Sequence, residues 1–361
     1  MTEPLSKIPA GMRYYFGREA RLRRAIEDTA MTIFAGWSYE EIVTPTVDYY
    51  SLFDHAMGHS ESHRAFRFTD NDGRLLALRP DVTSAVARAA ATLFAGRERP
   101  LRVCYVAPVF RQQTRSPAEW LRETTQIGCE LIGGASHIAD MEVLLIVCEF
   151  LQSLELKFLI TLNQAEVFNG LIQINPADPI FHTDLRHLIA QRNTAALGLF
   201  LDRYDTAARE GLAQLANLSG KGQTLSKARQ VIYNERSRAA MDQLENLWRL
   251  IESLHLADSF EIDLGDVSPL DYYSGLTFKI FVEGAGKPLG SGGRYDGLTA
   301  SFGADEPAVG FVLDLDGITE LLADDSRFGT HEPKDHESDL RSRWQKIYGQ
   351  KTDATIEEVT R

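Results

Sequence analysis

The sequence has no long hydrophobic run and few cysteines. Its apolar stretches stay well short of the roughly 18 residues that a membrane-spanning helix needs, and the N-terminal residues lack the apolar core of a signal peptide. The three cysteines, Cys104, Cys129 and Cys148, are too few and too scattered for a disulfide framework or a zinc site. We therefore expect a cytoplasmic protein without a membrane partner, whose cysteines are buried core thiols.

Positive charge is also scarce. The 361 residues include 38 Lys and Arg against 51 Asp and Glu, so the formal net charge at pH 7 is −13. Binding to nucleic-acid phosphates requires clustered Lys and Arg, so this charge argues against a generic nucleic-acid binder. The 44% of hydrophobic and 25% of charged residues are typical of a soluble globular protein.

Several chemical motifs are missing as well. The sequence has no Lys-bearing phosphate loop and no G-x-S-x-G nucleophile turn, and none of its nine histidines has a second metal ligand at a useful spacing. The glycine-rich residues 290–297 could bind phosphate, but their pattern favours a tight turn at a sheet edge. We therefore predict no metal and no cofactor.

What the sequence does contain is a series of clear helical and strand patterns. Apolar residues at near-fourfold spacing predict a helix over 18–36, whose arginines at 18, 21, 23 and 24 face solvent or, alternatively, a phosphate. The turn residues 71–73 predict a hairpin between 66–69 and 74–78. Further predicted elements are a helix at 138–152 and strands at 39–43, 101–111, 123–132, 157–162, 260–264 and 276–282.

The two longest predicted strands, 101–111 and 123–132, should form an antiparallel pair. Side chains alternate between the faces of a strand, so Gln126, Gly128 and Glu130 should share one face. That face is either a floor for a ligand or the solvent-exposed side of a half-covered sheet.

The chain is expected to form one α+β domain over residues 1–318. Helical periodicity over about 166–256 interrupts the strand patterns and predicts a helical insertion in this domain. Residues 319–361 are polar and poor in apolar periodicity, so we expect a C-terminal tail or a peripheral helix there.

Five motifs follow one another along the chain. They are G-W-S-Y-E-E-I-V-T-P at 36–45, L-R-P-D-V-T at 78–83, F-R at 110–111 followed by Q-I-G-C-E at 126–130, L-D-Y-Y at 270–273, and G-G-R-Y-D-G-L at 292–298. In this order they resemble the catalytic domain of histidyl-tRNA synthetase, a class II aminoacyl-tRNA synthetase, over about residues 8–318. The resemblance implies an antiparallel class II sheet flanked by helices, and self-association as a dimer through the first motif.

The chain departs from the synthetase pattern where ATP would bind. Ser268 and Pro269 stand where the synthetase has Arg-Gly, and Asp316 and Gly317 stand where its third motif has Glu-Arg. Gln112 and Gln113 stand where a glutamate is expected near ATP. One lost donor against developing charge can cost roughly 2.7–4 kcal/mol, so most of the adenylation rate should be lost. We also expect neither the anticodon-binding domain of the synthetase nor a tRNA partner.

The histidine pocket of the synthetase, in contrast, is retained by resemblance. Asp81, which is one methylene shorter than the family's glutamate, and Thr83 would bind the ammonium group. Arg111 and Gln126 would bind the carboxylate end, although Arg111 could instead form an ion pair within the sheet. The imidazole ring would lie against Glu130, Tyr272 and Tyr273.

A histidine pocket without ATP-binding arginines resembles the regulatory subunits of ATP phosphoribosyltransferase. This resemblance implies no catalytic residue, a short-form catalytic subunit as partner, and L-histidine as feedback effector of the first step of histidine biosynthesis. Two alternatives remain: a divergent ATP-dependent amino-acid-activating ligase of the histidyl-tRNA synthetase type, and a free-standing amino-acid sensor with another partner.

Overall fold

The computed structural model describes residues 5–112, 121–134, 137–172, 179–202, 209–232, 234–267 and 272–323. Within these ranges no helix is both long enough and apolar enough to cross a membrane. The chain divides into two compact units, Met1–Leu321 and Leu322–Arg361. From residue 324 onward, the predicted C-terminal tail lies outside the described residues.

The structure contains both helices and strands throughout. The helices of the described residues are α1 (Arg18–Gly36), α2 (Tyr50–Met57), α3 (His59–Ser62), α4 (Thr83–Ala91), α5 (His137–Ser153), α6 (Ala165–Ile172), α7 (Pro179–Ala190), α8 (Thr194–Leu201), α9 (Arg209–Leu215), α10 (Gln223–Val231), α11 (Glu235–Ser253), α12 (Gly297–Ala300) and α13 (Leu315–Leu322). The strands of the same residues are β1 (Glu40–Glu41), β2 (Val47–Tyr49), β3 (Arg67–Thr69), β4 (Leu75–Leu78), β5 (Leu101–Phe110), β6 (Glu123–Ile132), β7 (Phe158–Gln164), β8 (Ser219–Gly220), β9 (Phe260–Asp263), β10 (Leu276–Val282), β11 (Gly290–Arg294) and β12 (Ala308–Asp314).

Most of the strands join one large sheet in the order β1-β5-β6-β12-β11-β10-β7-β9-β8. The pairs β1–β5 and β7–β9 are parallel and the other neighbours are antiparallel, so the sheet is mixed rather than purely antiparallel. A small sheet, β2-β4-β3, contains the predicted hairpin. The α+β fold class and the predicted antiparallel pair, which is β5 with β6, are confirmed.

Helices cover the large sheet where its strands carry apolar side chains. On one face, Val103, Tyr105 and Val109 of β5 pack against Val82 and Val86 at the start of the Ala-rich helix α4. On the other face, α1 and α5 cover β6. Burying each large apolar side chain contributes about 1.5–3 kcal/mol, which holds both layers to the sheet.

The glycine-rich segment differs from its prediction. Residues 290–294 are not a turn at a sheet edge but strand β11, which lies inside the sheet between β10 and β12. A Cβ at Gly292 would lie 2.4 Å from the backbone oxygen of Gly310, and one at Gly293 would lie 2.7 Å from the ring of Tyr273. Glycine is therefore required at these positions because atoms of the neighbouring strand and of Tyr273 lie too close for a side chain, and not because the chain reverses there.

The predicted solvent face of α1 is correct for Arg18, Arg21 and Arg24 but wrong for Arg23. The Arg23 side chain is only 14% exposed and forms an ion pair with Asp316. Arg23 lies next to Leu22, at the edge of the buried face of α1, where the carboxylate of Asp316 is close enough to pair with it. The three cysteines are free and buried, as predicted.

Candidate functional site

A cavity of about 300 Å³ lies over the centre of the large sheet, beside the N-terminal end of α4. All seven residues predicted to bind histidine line it, namely Asp81, Thr83, Arg111, Gln126, Glu130, Tyr272 and Tyr273. They come from segments far apart in sequence, so only the folded chain brings them together. Histidine binding itself remains a prediction.

The floor of the cavity is a row of residues across three strands. Glu130 of β6 lies opposite Gly310 of β12, and Gly310 lies opposite Gly293 of β11. A Cβ at Gly310 would lie only 1.7 Å from Oε2 of Glu130, so the glutamate side chain lies across the bare backbone of the next strand. The alternative that this face of β6 is exposed is wrong, since Glu130 is 1% and Gln126 is 8% exposed.

Glu130 lies at the centre of a network of hydroxyl groups. Its Oε1 accepts hydrogen bonds from Thr83 at 2.8 Å and Tyr105 at 3.0 Å, and its Oε2 accepts one from Tyr295 at 2.6 Å. Burial raises the pKa of Glu130 to about 7, although the three hydroxyls favour the charged form and lower it in part. A carboxylate has about four acceptor positions, so one is left for a ligand.

Two buried oxygen atoms at the cavity have no hydrogen-bond partner among the described residues. One is Oδ2 of Asp81 and the other is Oε1 of Gln126. The other oxygen of Asp81, Oδ1, accepts a hydrogen bond from the hydroxyl of Ser84 at 2.7 Å. Burial raises the pKa of Asp81, and the positive charge of Arg111 lowers it in part. Unpaired buried acceptors are costly, so both atoms favour a ligand that carries N–H groups.

Aromatic rings form one wall of the cavity. The rings of Tyr272 and Tyr273 have centroids 4.7 Å apart, and the ring of Tyr295 meets that of Tyr272 edge-on at 6.0 Å. Burial raises the pKa of the Tyr272 hydroxyl well above its ordinary value, so this hydroxyl stays protonated at neutral pH. Together the rings can hold a small planar group and donate a hydrogen bond to it.

Three arginines also line the cavity. Arg64, Arg111 and Arg122 all contribute to the lining. Arg64 forms an ion pair with Glu61 at 2.9 Å, and the backbone N–H of Arg111 donates to the backbone oxygen of Arg122 at 2.8 Å. These cations can bind a small carboxylate.

The end of the cavity beyond β12 carries no arginine at the position of the third synthetase motif. Gly317 stands there, and a Cβ on it would lie 2.6 Å from Cδ2 of the buried Leu289. Nearby, Nζ of Lys287 forms an ion pair with Oδ2 of Asp314 at 3.0 Å, so the charge of this lysine is already compensated. Asp316, at the glutamate position of the motif, forms hydrogen bonds with Tyr15 and Arg23.

The sequence missed two residues of the network around Glu130. Tyr105 and Tyr295 are fully buried and both donate to its carboxylate. The sequence contained a signal for each tyrosine. Tyr105 shares a face of β5 with the apolar Val103 and Ala107, which indicates burial, and Tyr295 lies within the G-G-R-Y-D-G-L motif. Ser268, Pro269 and the neighbouring residues 270–271, on which part of the synthetase comparison depends, lie outside the described residues.

Comparison with known proteins supports the resemblance at three levels. Residues 11–318 match the family model described as histidyl-tRNA synthetase. The chain is 34% identical over 324 residues to the ATP phosphoribosyltransferase regulatory subunit of Caldanaerobacter subterraneus, which covers 89% of this chain and 84% of that protein. It is also 34% identical over 320 residues to the protein of the same name from Moorella thermoacetica, with 88% and 82% covered.

Solved structures agree with the sequence relatives. The ATP phosphoribosyltransferase regulatory subunit/histidyl-tRNA synthetase of Bacillus halodurans superposes with a TM-score of 0.81 at 27% identity, covering 89% of this chain and 84% of that one. A histidine–tRNA ligase subunit from Alicyclobacillus acidocaldarius superposes with a TM-score of 0.74 at 28% identity, covering 90% and 99%. The chain belongs to the histidyl-tRNA synthetase family and, within it, to the ATP phosphoribosyltransferase regulatory subunits.

Proposed function

We propose that this chain is the non-catalytic regulatory subunit of an ATP phosphoribosyltransferase. A short-form catalytic subunit would carry out the chemistry of the first step of L-histidine biosynthesis, and L-histidine bound in the cavity would provide feedback inhibition. The observation that carries the proposal is a cavity lined by all seven predicted histidine-binding residues, with Gly317 at the arginine position of the third synthetase motif. A Cβ at Gly317 would meet Leu289, and the nearby Lys287 is paired with Asp314.

The chemistry of the cavity supports histidine as its ligand. The unpaired Oδ2 of Asp81 and the lone pairs of the Thr83 hydroxyl can accept hydrogen bonds from the ammonium group. Arg111 and the side-chain N–H groups of Gln126 can donate to the carboxylate, and Oε1 of Gln126 can then accept from an N–H group of the ligand. Glu130 keeps one acceptor position for a ring N–H, and Tyr272 and Tyr273 can contact the imidazole.

The other end of the cavity argues against adenylate formation. A polyphosphate needs cations placed against its charge, and one lost donor of this kind costs roughly 2.7–4 kcal/mol. Here Gly317 supplies no cation, Lys287 is paired with Asp314, and Glu320 adds a further negative charge to the lining. The same pocket is therefore better suited to sense an amino acid than to activate it.

Feedback inhibition requires that histidine bind one state of the complex better than another. A ligand of equal affinity for both states would shift no population. The usual coupling of about 1–3 kcal/mol corresponds to roughly 5- to 150-fold in affinity, and it acts equally from the catalytic site back to the histidine site.

We also propose self-association as a dimer through the small sheet. Val47, Tyr49 and Phe68 lie on one face of β2-β4-β3 and are 40–45% exposed, and Val43 beside them is 86% exposed. An apolar sheet face of this kind favours burial against a second copy. Val43 belongs to the first synthetase motif at 36–45, and β2 begins two residues after that motif. No tRNA partner is proposed, because the net charge of −13 does not favour one.

An assay of phosphoribosyl transfer tests the function directly. The short-form catalytic subunit is assayed alone and with this chain, each with and without L-histidine. We expect this chain to raise the rate and to confer histidine inhibition. If the catalytic subunit has the same rate and the same histidine sensitivity alone, the proposed function is wrong.

Calorimetry tests the pocket separately. Glu130→Ala should weaken histidine binding by at least about tenfold, because it removes a charged partner and leaves three hydroxyls without their acceptor. Glu123→Ala, at the exposed start of the same strand, is the matched control and should bind like the wild type. Unchanged affinity of Glu130→Ala would remove Glu130 from the site.

A further inference from the structure

Asp316 lies behind the cavity wall and joins three separate parts of the chain. Its Oδ1 accepts hydrogen bonds from the hydroxyl of Tyr15 and from the guanidinium of Arg23, and its Oδ2 accepts one from the backbone N–H of Thr125 at 2.6 Å. Arg23 also donates to the hydroxyl of Thr125. The Asp316 side chain is only 3% exposed, so these bonds form away from solvent.

Strand β12 does not extend far enough to accept a hydrogen bond from the backbone N–H of Thr125. It ends at Asp314, which lies opposite Gln126, so Thr125 lies beyond the last residue pair of β6 and β12. The carboxylate of Asp316 accepts from this N–H instead of a backbone carbonyl of β12.

The next residue along the strand is Gln126, which lines the cavity. Its Oε1 is one of the two buried acceptors at the cavity that have no partner among the described residues. Because Thr125 and Gln126 are adjacent on one strand, a shift of the Thr125 backbone also displaces the Gln126 side chain. The carboxylate of Asp316 is charged and accepts from a guanidinium, and such hydrogen bonds are about twice as strong as neutral ones.

We infer that Asp316, held by Arg23 and Tyr15, is a positioning residue that places Gln126 for the ligand of the cavity. Asp316 does not touch the ligand and acts only through the backbone of Thr125. The inference rests on the proposed function, because it assigns Asp316 a role in binding the proposed effector, L-histidine.

A double-mutant cycle tests this role. L-histidine is titrated by calorimetry into the full chain mixed with a saturating short-form catalytic subunit, for the wild type, Asp316→Asn, Gln126→Ala and the double variant. Residues in one hydrogen-bond network are coupled by an amount that corresponds to about 2- to 150-fold in affinity. We expect Asp316→Asn to weaken histidine binding about tenfold in the wild type, and less than about twofold when Gln126 is already alanine.

Three further variants separate positioning from general damage to the fold. Asp316→Glu keeps the carboxylate and should bind within about twofold of the wild type. Arg24→Gln, an exposed arginine one position along α1, is the matched control and should leave the affinity unchanged. If Asp316→Asn fails to fold, Tyr15→Phe removes one donor but keeps the ring beside Arg13 and Arg23, and an effect of about threefold is expected in the same cycle.

The outcomes distinguish this inference from the proposed function. If the wild type binds histidine but Asp316→Asn binds equally well, or loses the same affinity in both backgrounds, Asp316 does not act through Gln126 and the inference is wrong while the function stands. If the wild-type mixture binds no histidine, the proposed effector is wrong, and the positioning role falls with it.

Discussion

Replacing Glu130 with glutamine should remove a pH-dependent cost of folding. In the folded chain burial raises the pKa of Glu130 to about 7, whereas the ordinary value is 4.5. Between these two pH values the folded state binds a proton that the unfolded state has released. Stability therefore falls as the pH rises through this range. Glutamine does not titrate, and it resembles the protonated acid in shape and in hydrogen bonding.

The size of the effect follows from the difference between the two pKa values. One pKa unit corresponds to about 1.4 kcal/mol, so a rise from 4.5 to about 7 amounts to about 3 kcal/mol. The favourable contribution of Glu130 is fully present below about pH 4.5 and is lost as the pH rises through about 7. Relative to Glu130→Gln, the wild type should thus lose about 3 kcal/mol of unfolding free energy between about pH 4.5 and pH 8.

Urea unfolding of both proteins at several pH values measures this difference. Other groups titrate in both proteins, so their effects cancel when the two unfolding free energies are subtracted, provided that the dependence on urea is the same. Glu123→Gln, on the exposed start of the same strand, is the control and should follow the wild type at every pH. A difference between wild type and Glu130→Gln that stays constant from about pH 4.5 to pH 8 would refute the reasoning.

Three further changes test the close packing of the site and the core. Gly310→Ala should destabilise the chain by about 1–3 kcal/mol in urea unfolding and weaken histidine binding in calorimetry, because its Cβ would displace Glu130. Gly286→Ala, which has open space around it, is the control and should change neither measurement. Gly317→Arg should not restore histidine-dependent pyrophosphate exchange, since Leu289 occupies the space; measurable exchange would contradict this. The three cysteines should resist a thiol reagent at about pH 8 until the chain unfolds, because burial raises their pKa values, and rapid labelling of the native protein would show otherwise.

Local patterns predicted much of the secondary structure. Helix α1 and strand β6 begin and end at the predicted residues, 18–36 and 123–132. Both carry strong periodicity, which depends only on which face of the element is buried. The glycine-rich strand β11 has no such periodicity, because its glycines have no side chain to bury. Its pattern therefore favoured a turn over a phosphate-binding loop, and neither prediction was a strand.

The set of seven predicted site residues depended on a resemblance, because strand alternation indicated a possible ligand floor for Gln126 and Glu130 only. The structure places them around one cavity, but it also changes the account of Glu130. Its carboxylate is engaged by three hydroxyls, two of which, from Tyr105 and Tyr295, were not predicted. Arg23 was predicted to face solvent because its partner Asp316 lies 293 residues further along the chain, where no local pattern can indicate the contact.

The sequence by itself determined the fold class, the strands and helices with strong periodicity, and the family, because these depend on residue types in a fixed order along the chain. Only the tertiary structure decided the protonation of Glu130, the unpaired oxygens of Asp81 and Gln126, and the network around Asp316. Burial, hydrogen bonding and charge act between residues that are close in space, and strand register together with the packing of helices on the sheet decides which distant residues become neighbours.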